Sequence, residues 1–480
     1  MKRAWVLTLV LLCVVAAAPA GAQDKPAATD QAAAVTAPSE QTLESLLQSV
    51  THPLPWFSWG GELRLRQEAY NNVIDLLDSG DDRRNYFRIR AQLWTQFGPF
   101  FKDEALDKPN GLTAYVRTAT EPRYFLNELP TDHVPMWTEV FLDNAYVQWQ
   151  RPAGWPVTVK VGRQDIVYGR GFVLKDGTPL DGSRSIFMDA VKATLHLDGA
   201  QTDVDFLAID NRGRGDGYVT PWGYHSHKNR FLQESNATVL GAYLINRTLA
   251  PHEFHAYYLY KDEDTISTYA LPDRTVHTIG ALAQGSFPIR QGDLLDYYGE
   301  AAVQWGKEGS ESRRAFGLNG DVGYTFQQVF WRPRVHVNYM FLSGDDPDTS
   351  RFEGWDPVLA RYIMPSEILA FRAASASEYG RYAYHTNMIY YGTGIRVNPT
   401  ARMRVDLDYI LVGADEHDKG TAFPFSNGKT RGNVYSAILT YTFNPRVSGH
   451  LWAEYYQPGG YYASSTDPAY FLRWQLVFKL

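Results

Sequence analysis

The stretch Phe87-Arg88-Ile89-Arg90-Ala91-Gln92-Leu93-Trp94-Thr95-Gln96-Phe97 alternates between two kinds of side chain without a break. Its odd-numbered residues are apolar or small, and its even-numbered residues are mostly arginine or glutamine. A period of two places successive side chains on opposite faces of a β-strand. A soluble sheet could bury the apolar face in a core, so this stretch alone does not separate a soluble sheet from a membrane barrel.

Similar alternating stretches follow one another as far as the last residue, Leu480. We count eighteen candidate strands: 59–70, 84–97, 111–121, 138–150, 156–166, 188–198, 202–210, 236–246, 253–262, 274–286, 293–306, 314–326, 333–343, 384–396, 402–412, 432–443, 447–457 and 469–480. Long and short gaps largely alternate between them, as in a barrel with long outer loops and short inner turns. The sequence therefore predicts an all-β fold, a transmembrane antiparallel β-barrel of about 18 strands in the outer membrane of a Gram-negative bacterium.

One gap does not fit this alternation. The segment from Gly98 to Asn110 should be an inner turn, and it is too long for one. Either a strand boundary is misplaced here, or the turn carries something extra.

The first residues have the pattern of a secretory signal peptide. Lys2 and Arg3 precede an apolar run, and Ala20-Gly21-Ala22 forms a small-residue cleavage signal. We therefore divide the chain into a signal peptide (1–22), a flexible periplasmic lead-in with a possible short helix (23–56), and the barrel (57–480). The lead-in could alternatively plug the pore. The single cysteine, Cys13, lies in the signal peptide, so disulfides and thiol chemistry are excluded from the mature chain.

Charge argues against a nucleic-acid partner. Loss of Lys2 and Arg3 with the signal peptide takes two positive charges from the net charge of −7 and leaves −9. The inner faces of the strands are nevertheless mixed, with 14 basic and 11 acidic residues. The basic residues that we assign to the pore lining and substrate path are Arg64, Arg66, Arg88, Arg90, Arg117, Lys160, Lys192, Arg334, Arg396, Arg404 and Arg473.

Arginine presents a permanent planar charge with five donors, which suits the passage of carboxylates or phosphates along a surface. The alternative is that inner arginines and glutamates only brace the barrel wall. That alternative is weaker for the pairs Arg64 with Arg66 and Arg88 with Arg90, because like charges two residues apart need more partners than their immediate neighbours supply.

Catalytic and metal-binding signals are weak. The chain contains no G-x-S-x-G, H-E-x-x-H or phosphate-binding glycine loop. His225 and His227 form an H-x-H pair without a third ligand. Asp345, Asp346 and Asp348 could bind calcium, although a solvated loop is the commoner setting for such residues. We predict no catalytic residue, no metal site and no cofactor.

Three motifs resemble the alginate export family of outer-membrane barrels. They are Gly162-Arg163-Gln164 with Tyr168-Gly169 and the return strand 187–192, Ser343-Gly344-Asp345 followed by 355–362, and the final hairpin 454–473. The resemblance implies an eighteen-stranded monomeric barrel with an arginine-lined constriction, and it adds Arg163 to the pore-lining residues. Strand alternation would place residue 163 on the lipid face, so we expect a bulge at Gly162 that turns Arg163 inward.

The function that we expect is passive export of an anionic, alginate-like exopolysaccharide, with periplasmic scaffold proteins as possible partners. The alternative is an uptake porin for small acidic solutes or oligosaccharides. An outer-membrane hydrolase would need an Asp-His or Ser-His pair at the rim, and no spacing supports one. The segment from Gly344 to Ala383, which is rich in apolar residues, is predicted to fold over or into the pore mouth as a gate, the alternative being an outer cap.

Overall fold

The computed structural model describes residues 40–78, 82–127, 139–175, 187–213, 219–223, 235–265, 271–360, 365–374, 384–417 and 425–480. The expected signal peptide and the pair His225 and His227 lie outside the described residues. The chain divides into two units, 1–48 and 49–480. Helix α1 spans Glu40–Thr51, where leucine spacing predicts a short helix. Within the described residues, no helix has the length and apolar character that a membrane crossing requires.

The second unit is built from β-strands. The strands are β1 Phe57–Asn71, β2 Arg84–Phe100, β3 Gly111–Thr120, β4 Arg123–Asn127, β5 Phe141–Gln150, β6 Val157–Arg163, β7 Leu174–Lys175, β8 Asp189–Leu197, β9 Thr202–Asn211, β10 Ser235–Asn246, β11 Glu253–Thr265, β12 Arg274–Pro288, β13 Leu294–Glu308, β14 Glu311–Thr325, β15 Arg334–Leu342, β16 Arg351–Phe352, β17 Leu359–Ala360, β18 Met388–Thr400, β19 Met403–Gly413, β20 Thr430–Asn444, β21 Val447–Pro458 and β22 Ala469–Lys479. Short 3-10 turns lie at Pro152–Gly154, Asp198–Ala200 and Arg290–Gly292, and helix α2 spans Glu367–Ala374.

Eighteen of these strands form one closed antiparallel barrel, as the sequence predicts. The four strands outside the barrel are the short β4, β7, β16 and β17. The barrel closes where β22 pairs with β1, for example with Arg66 opposite Gln475. Closure satisfies every strand edge, which is the condition for a sheet to span a bilayer.

The two faces of the wall follow the alternation in the sequence. Val303 in β13 and Phe316 in β14 stand opposite each other and are exposed on the outside, whereas Gln304 points inward and is buried. At the end with the short turns, Trp56, Phe57 and Phe97 form ring contacts. Such aromatic clusters are typical of the membrane–water interface.

The long segment after Gly98 contains an additional folded loop. Strand β2 continues to Phe100, three residues beyond the predicted end, and β3 begins at Gly111. Between them, the Asn110 side chain accepts a hydrogen bond from the Asp103 amide (2.7 Å) and donates to its carbonyl oxygen (3.0 Å). Lys108 reaches the short turn between β8 and β9 and pairs with Asp198 at 2.7 Å. The turn therefore carries the extra structure that its length suggested.

Two strand predictions need correction at the end with the long loops. The strand predicted from 384 begins only at Met388, because Asn387 has φ +50° and its side chain donates to the Glu416 carbonyl oxygen at 3.0 Å. The strand predicted to run to 166 ends at Arg163. In both cases the excluded residues belong to loops that turn into the barrel.

Near the long-loop end, the described parts of two loops fold into the interior. One follows β6 and the other follows β15, and they meet where β7 and β17 pair in parallel. Phe172 and Trp355 are fully buried, with ring centroids 5.1 Å apart. Both rings pack against the inner face of β14 at Gly317. They lie so close that a Cβ added to Gly317 would be 2.8 Å from each of them. We call the described inward residues 166–175, 354–360 and 365–374 the lumenal plug.

Candidate functional site: the barrel lumen and its plug

Eleven of the twelve predicted pore-lining residues lie on the inner face of the wall. Their sequence neighbours with exposed apolar side chains, such as Leu63, Leu93 and Leu472, lie on the outer face. Because side chains alternate along a strand, the basic residues between these neighbours point inward. Three groups can be distinguished by position and burial.

The first group comes from three adjacent strands and forms one arginine cluster in the middle of the barrel. Its members are Arg64 and Arg66 of β1, Arg88 and Arg90 of β2, and Arg473 of β22. Arg66 stands directly opposite Arg88 in the register. All five side chains are buried.

Glu68 is the shared acceptor of the arginine cluster. Its carboxylate pairs with Arg66 (3.1 Å) and Arg88 (3.4 Å), and also with Arg473. A carboxylate buried among several guanidinium groups offsets their mutual repulsion and the loss of their hydration. Glu68 thus joins the first two strands of the barrel to the last one.

Two further glutamates pair with members of this cluster. Glu121 pairs with Arg64 and with Arg88, each at 2.5 Å. Glu62 pairs with Arg90 at 2.6 Å. These partners are hard to find from sequence, because Glu121 lies just beyond β3 and reaches the arginines only in the folded wall.

The second group consists of Arg117, Lys160 and Lys192 on β3, β6 and β8. Arg117 pairs with Asp143 at 2.6 Å, and Lys192 pairs with Asp205 at 2.9 Å. The Lys160 ammonium lies 3.7 Å from the centre of the Tyr146 ring, a distance that allows a cation–π contact. These side chains are less buried than the arginine cluster.

The third group lies near the short-turn end. Arg334 pairs with Asp321 at 2.6 Å. Arg396 and Arg404 share Asp406 at 2.5 and 2.8 Å, with 40% and 46% of their side-chain surfaces exposed. These two arginines therefore present positive charge to solvent inside the lumen, whereas the arginine cluster is covered.

Arg163 differs from the expectation, and the predicted bulge is absent. The pairing of β6 with β8 runs through Gly162–Ala190 and Arg163–Asp189 without a register shift. Arg163 therefore shares the outer face with the exposed Val161 and forms a two-pronged ion pair with Asp189, at 2.8 and 2.9 Å. Gly162 is needed for a different reason, because its φ is +123° and a Cβ there would lie 2.3 Å from the Ala145 carbonyl oxygen.

The lumenal plug is anchored to the wall first through Asp356, which is fully buried. Its carboxylate accepts from Lys261 of β11 at 2.6 Å and lies 3.4 Å from Arg274 of β12. Its backbone exchanges two hydrogen bonds with the Gln304 side chain, at 2.9 and 2.7 Å. Burial opposes ionisation, but the charges of Lys261 and Arg274 hold the pKa of Asp356 below its usual value. The plug carboxylate is therefore an anion.

The wall around Asp356 carries three cations and two carboxylates that pair with them. Glu263 pairs with Lys261 at 2.5 Å and with Arg274, and Glu308 pairs with Arg313. These three cations are matched by two wall carboxylates and by Asp356. The plug thus supplies the last negative charge that the wall needs.

The second anchor holds helix α2 against the opposite part of the wall. The Ser366 hydroxyl accepts from the Leu369 amide at 3.3 Å as a helix cap and donates to Glu454 at 2.7 Å. Glu454 also accepts from the amides of Glu367 (3.1 Å) and Ile368 (3.0 Å). A wall carboxylate at a helix N-terminus satisfies backbone donors that would otherwise be buried without partners.

Helix α2 also touches the arginine cluster and the loop after β1. Glu367 accepts from Arg473 at 2.8 Å, so one cluster arginine is bound by the plug. Arg372 is fully buried, donates to the Val73 carbonyl oxygen at 3.0 Å and lies over the Tyr462 ring. Within the segment predicted as a gate, the described residues 354–360 and 365–374 therefore lie inside the barrel, not over it as an outer cap.

A ladder of tyrosines lines the wall beside the plug. Tyr243 stacks between Tyr168 of the plug, at 3.8 Å, and Tyr257, at 5.1 Å. The Tyr168 hydroxyl donates to Asp205 at 2.5 Å, and the Tyr257 hydroxyl donates to Glu300 at 3.0 Å. Inner tyrosines of this kind are hard to find from sequence, because alternation alone does not distinguish them from outer aromatic residues.

The loop aspartates that suggested calcium have other partners. Asp345 accepts from the Glu353 amide at 2.8 Å, and Asp346 accepts from the Asp348 amide at 3.0 Å. These carboxylates shape their own loop. Across the described parts of the chain, no group of three or more His, Cys, Asp or Glu side chains is arranged to hold a metal ion.

Solved outer-membrane proteins share this barrel. The chain is similar to OccAB4 of Acinetobacter baumannii, with TM-score 0.56 and 10% identity over 88% of this chain and 98% of that one. OccK5 (OpdH) of Pseudomonas aeruginosa gives TM-score 0.53 and 12% identity, with 88% and 98% covered. OprD of the same organism gives 0.52 and 10%, with 88% and 93% covered. At such identities the likeness shows the fold alone. No curated protein sequence matches the chain.

A closed barrel of eighteen strands, apolar outside and charged inside, defines an outer-membrane channel. The model of the family described as "Alginate export" matches residues 56–360, more than half of the chain. The protein belongs to the alginate export family.

Proposed function

We propose that the channel allows passive export of an anionic exopolysaccharide of the alginate type. The observation that carries this proposal is the arginine cluster, where five guanidinium groups from three adjacent strands meet in the middle of the lumen. A guanidinium of this cluster that the polymer reaches would exchange its wall glutamate for a carboxylate of the polymer. Several similar sites in succession keep each binding step weak, which allows the polymer to move on.

The remaining basic groups extend this path along the barrel. Arg396 and Arg404, with their exposed side chains, meet the polymer near the short-turn end, where periplasmic scaffold proteins would deliver it. Arg334 lies directly opposite Arg396 in the register, and Arg117, Lys160 and Lys192 lie on the inner face of other strands. Arg163 lies outside this path, because it shares the outer face of β6 with Val161.

The experiment that tests this function is a current measurement in planar bilayers with the purified mature chain. Trigalacturonate added on the short-turn side should interrupt the current, whereas the neutral sugar maltotriose at the same concentration should not. A matching deletion strain should retain uronic-acid polymer in the periplasm and release it again when the gene is restored. Equal effects of the two sugars would contradict selection for an anionic chain.

A second candidate function is uptake of small acidic solutes or oligosaccharides. It is favoured by the lumenal plug, because residues that lie inside the barrel at the long-loop end hinder a wide polymer more than a small solute. The two functions differ in cells: an uptake channel would be needed for growth on an acidic sugar as carbon source, whereas an export channel would be needed for polymer release.

A further inference from the structure

We propose that Asp356 of the lumenal plug occupies a carboxylate-binding site of the transport path, formed by Lys261 and Arg274 beside Arg313, and that a substrate carboxylate displaces it. The plug would then open by exchange of one carboxylate for another. This inference rests on the proposed export of an anionic polysaccharide, and it assigns that polymer a second binding site besides the arginine cluster.

The wall at this site offers mainly donors to the plug. Besides the contacts of Asp356, Arg313 donates to the Gly354 carbonyl oxygen at 2.5 Å, and Lys261 approaches the Val358 carbonyl oxygen at 3.4 Å. Gln304 adds an amide donor. An acidic sugar presents the same two kinds of acceptor, a carboxylate and neutral oxygens, within one residue. The wall site is therefore suited to a uronic acid as well as to the plug.

The charges around Asp356 explain why a substrate carboxylate could take its place. Without Asp356, the carboxylates that pair with these three buried cations among the described residues would be those of Glu263 and Glu308. A buried charge without a partner is costly, so the plug cannot leave this site easily by itself. An arriving carboxylate removes that cost because it restores the balance as Asp356 departs. Opening would then depend on an anionic ligand, and a neutral sugar would leave the plug in place.

The site also has donors that the plug does not use. Among the described residues, Nη1 of Arg274 and Nε of Arg313 are buried and have no hydrogen-bond partner. Two spare guanidinium donors beside an occupied carboxylate site are what a second acceptor, such as a sugar hydroxyl, would require.

At the second anchor, too, a plug carboxylate pairs with a wall cation. Glu367 accepts from Arg473, a member of the arginine cluster, at 2.8 Å. Two plug carboxylates thus occupy cations on separate parts of the wall, β11 with β12 and β22. A polyanion that fills one site has further carboxylates for the other, so the two exchanges can follow one another along one chain.

The test uses a single cysteine on the plug. The only native cysteine is Cys13, so Val358→Cys gives a mature chain with one thiol at a position that is buried while the plug is in place. The rate of labelling by a membrane-impermeant maleimide then reports plug opening. Trigalacturonate should raise this rate several-fold, and maltotriose should not. The inference is wrong if trigalacturonate and maltotriose give the same labelling rate. It is also wrong if the rate with trigalacturonate equals the rate without any sugar.

A second variant tests the role of Asp356. In the Val358→Cys background, Asp356→Asn should speed labelling without any sugar, and trigalacturonate should add little further effect. The matched control is Glu353→Gln, which removes a partly exposed carboxylate from the same loop outside the plug and should leave the labelling rate unchanged. A folded Asp356→Asn variant that labels at the parental rate would overturn the inference. If this variant does not assemble, the sugar dependence of Val358→Cys alone decides.

Current recordings separate this inference from the proposed function. If trigalacturonate interrupts the current but does not change labelling, export of an anionic chain stands and displacement of Asp356 is wrong. If it changes neither current nor labelling, both are wrong. If it changes both while maltotriose changes neither, both are supported.

Discussion

Arg64 and Arg90 occupy directly opposed positions on neighbouring strands of the barrel, with both side chains on the inner face. Like charges placed opposite each other weaken a sheet. The wall tolerates them because each has its own carboxylate, Glu121 at 2.5 Å for Arg64 and Glu62 at 2.6 Å for Arg90. The wall thus concentrates cations in the lumen and at the same time supplies counter-charges that a substrate must replace.

Removal of Glu121 should therefore have two separable effects. Glu121→Gln removes the carboxylate that Arg64 and Arg88 share and makes the lumen more positive, so preference for anions in planar bilayers should increase. Loss of one partner of a buried ion pair also costs about 3–5 kcal/mol, so the barrel should unfold at a lower temperature in the heat-modification gel assay. Glu104→Gln, at an exposed turn position, should change neither property. An unchanged reversal potential in Glu121→Gln would show that this pair lies away from the ion path.

Reversing two cluster charges should have the opposite effect on selectivity. We expect Arg88→Glu combined with Arg90→Glu to reduce or reverse the anion preference, measured as the reversal potential across a salt gradient. Arg212→Glu, at an exposed position after β9, is the control and should behave like the parent. A double variant with the parental reversal potential would exclude these side chains from the conducting path.

Deletion of the inward loop should enlarge the pore. A chain without residues 350–378 loses Asp356 and helix α2, and with them both anchors of the plug. Single-channel conductance should rise, and cells should become sensitive to bulky antibiotics, while the strand pairings that close the barrel remain. Parental conductance and sensitivity in a correctly assembled deletion would mean that the constriction lies elsewhere.

A larger side chain at Gly317 should push the plug away from the wall. A Cβ at this position would lie 2.8 Å from both Phe172 and Trp355, so Gly317→Val cannot be accommodated without displacement of the rings. We expect higher and noisier conductance with normal barrel assembly. Gly299→Val is the matched control, because a Cβ there meets nothing within 4 Å. If the two variants conduct alike, packing against Gly317 does not hold the plug.

The turn between β8 and β9 gives a prediction about pH. Hydrogen bonds from Lys108 and Arg151 lower the pKa of Asp198 to about 2. Because the folded pKa is depressed, the contribution of these contacts is present above the usual pKa of an aspartate and is lost as pH falls through about 2. A carboxyl-carbon NMR titration should show this low midpoint, and Lys108→Met should raise it. A midpoint near the usual value in the parent would contradict the pairing.

The sequence predicts the barrel wall well because one physical rule governs it. Lipid outside and charge inside impose a period of two on every strand, and most strand ends agree with the structure within three residues. The exception is β18, which begins at Met388 and ends at Thr400, each four residues later than predicted. It begins late because Asn387, just before it, has φ +50° and belongs to the loop that precedes the strand.

The candidate site could be predicted only in part. Alternation correctly places Arg64 and Arg88 on the inner face, but it does not reveal that Glu121 neutralises both. The role of Asp356 is less visible still, because its partners Lys261 and Arg274 are distant in sequence and meet it only when the loop folds inward. Apolar content identified this loop as important, while its ion pairs depend on the three-dimensional arrangement.

The contact of Arg473 with Glu68 also bears on biogenesis. Arg473 belongs to the last strand and Glu68 to the first, so their pairing forms only when the seam between β22 and β1 has closed. During translation, β1 is synthesised early and β22 is synthesised last. A truncated or incompletely inserted polypeptide would therefore lack part of the charge network in its lumen, and the cell would acquire a selective pore only from molecules that have completed assembly.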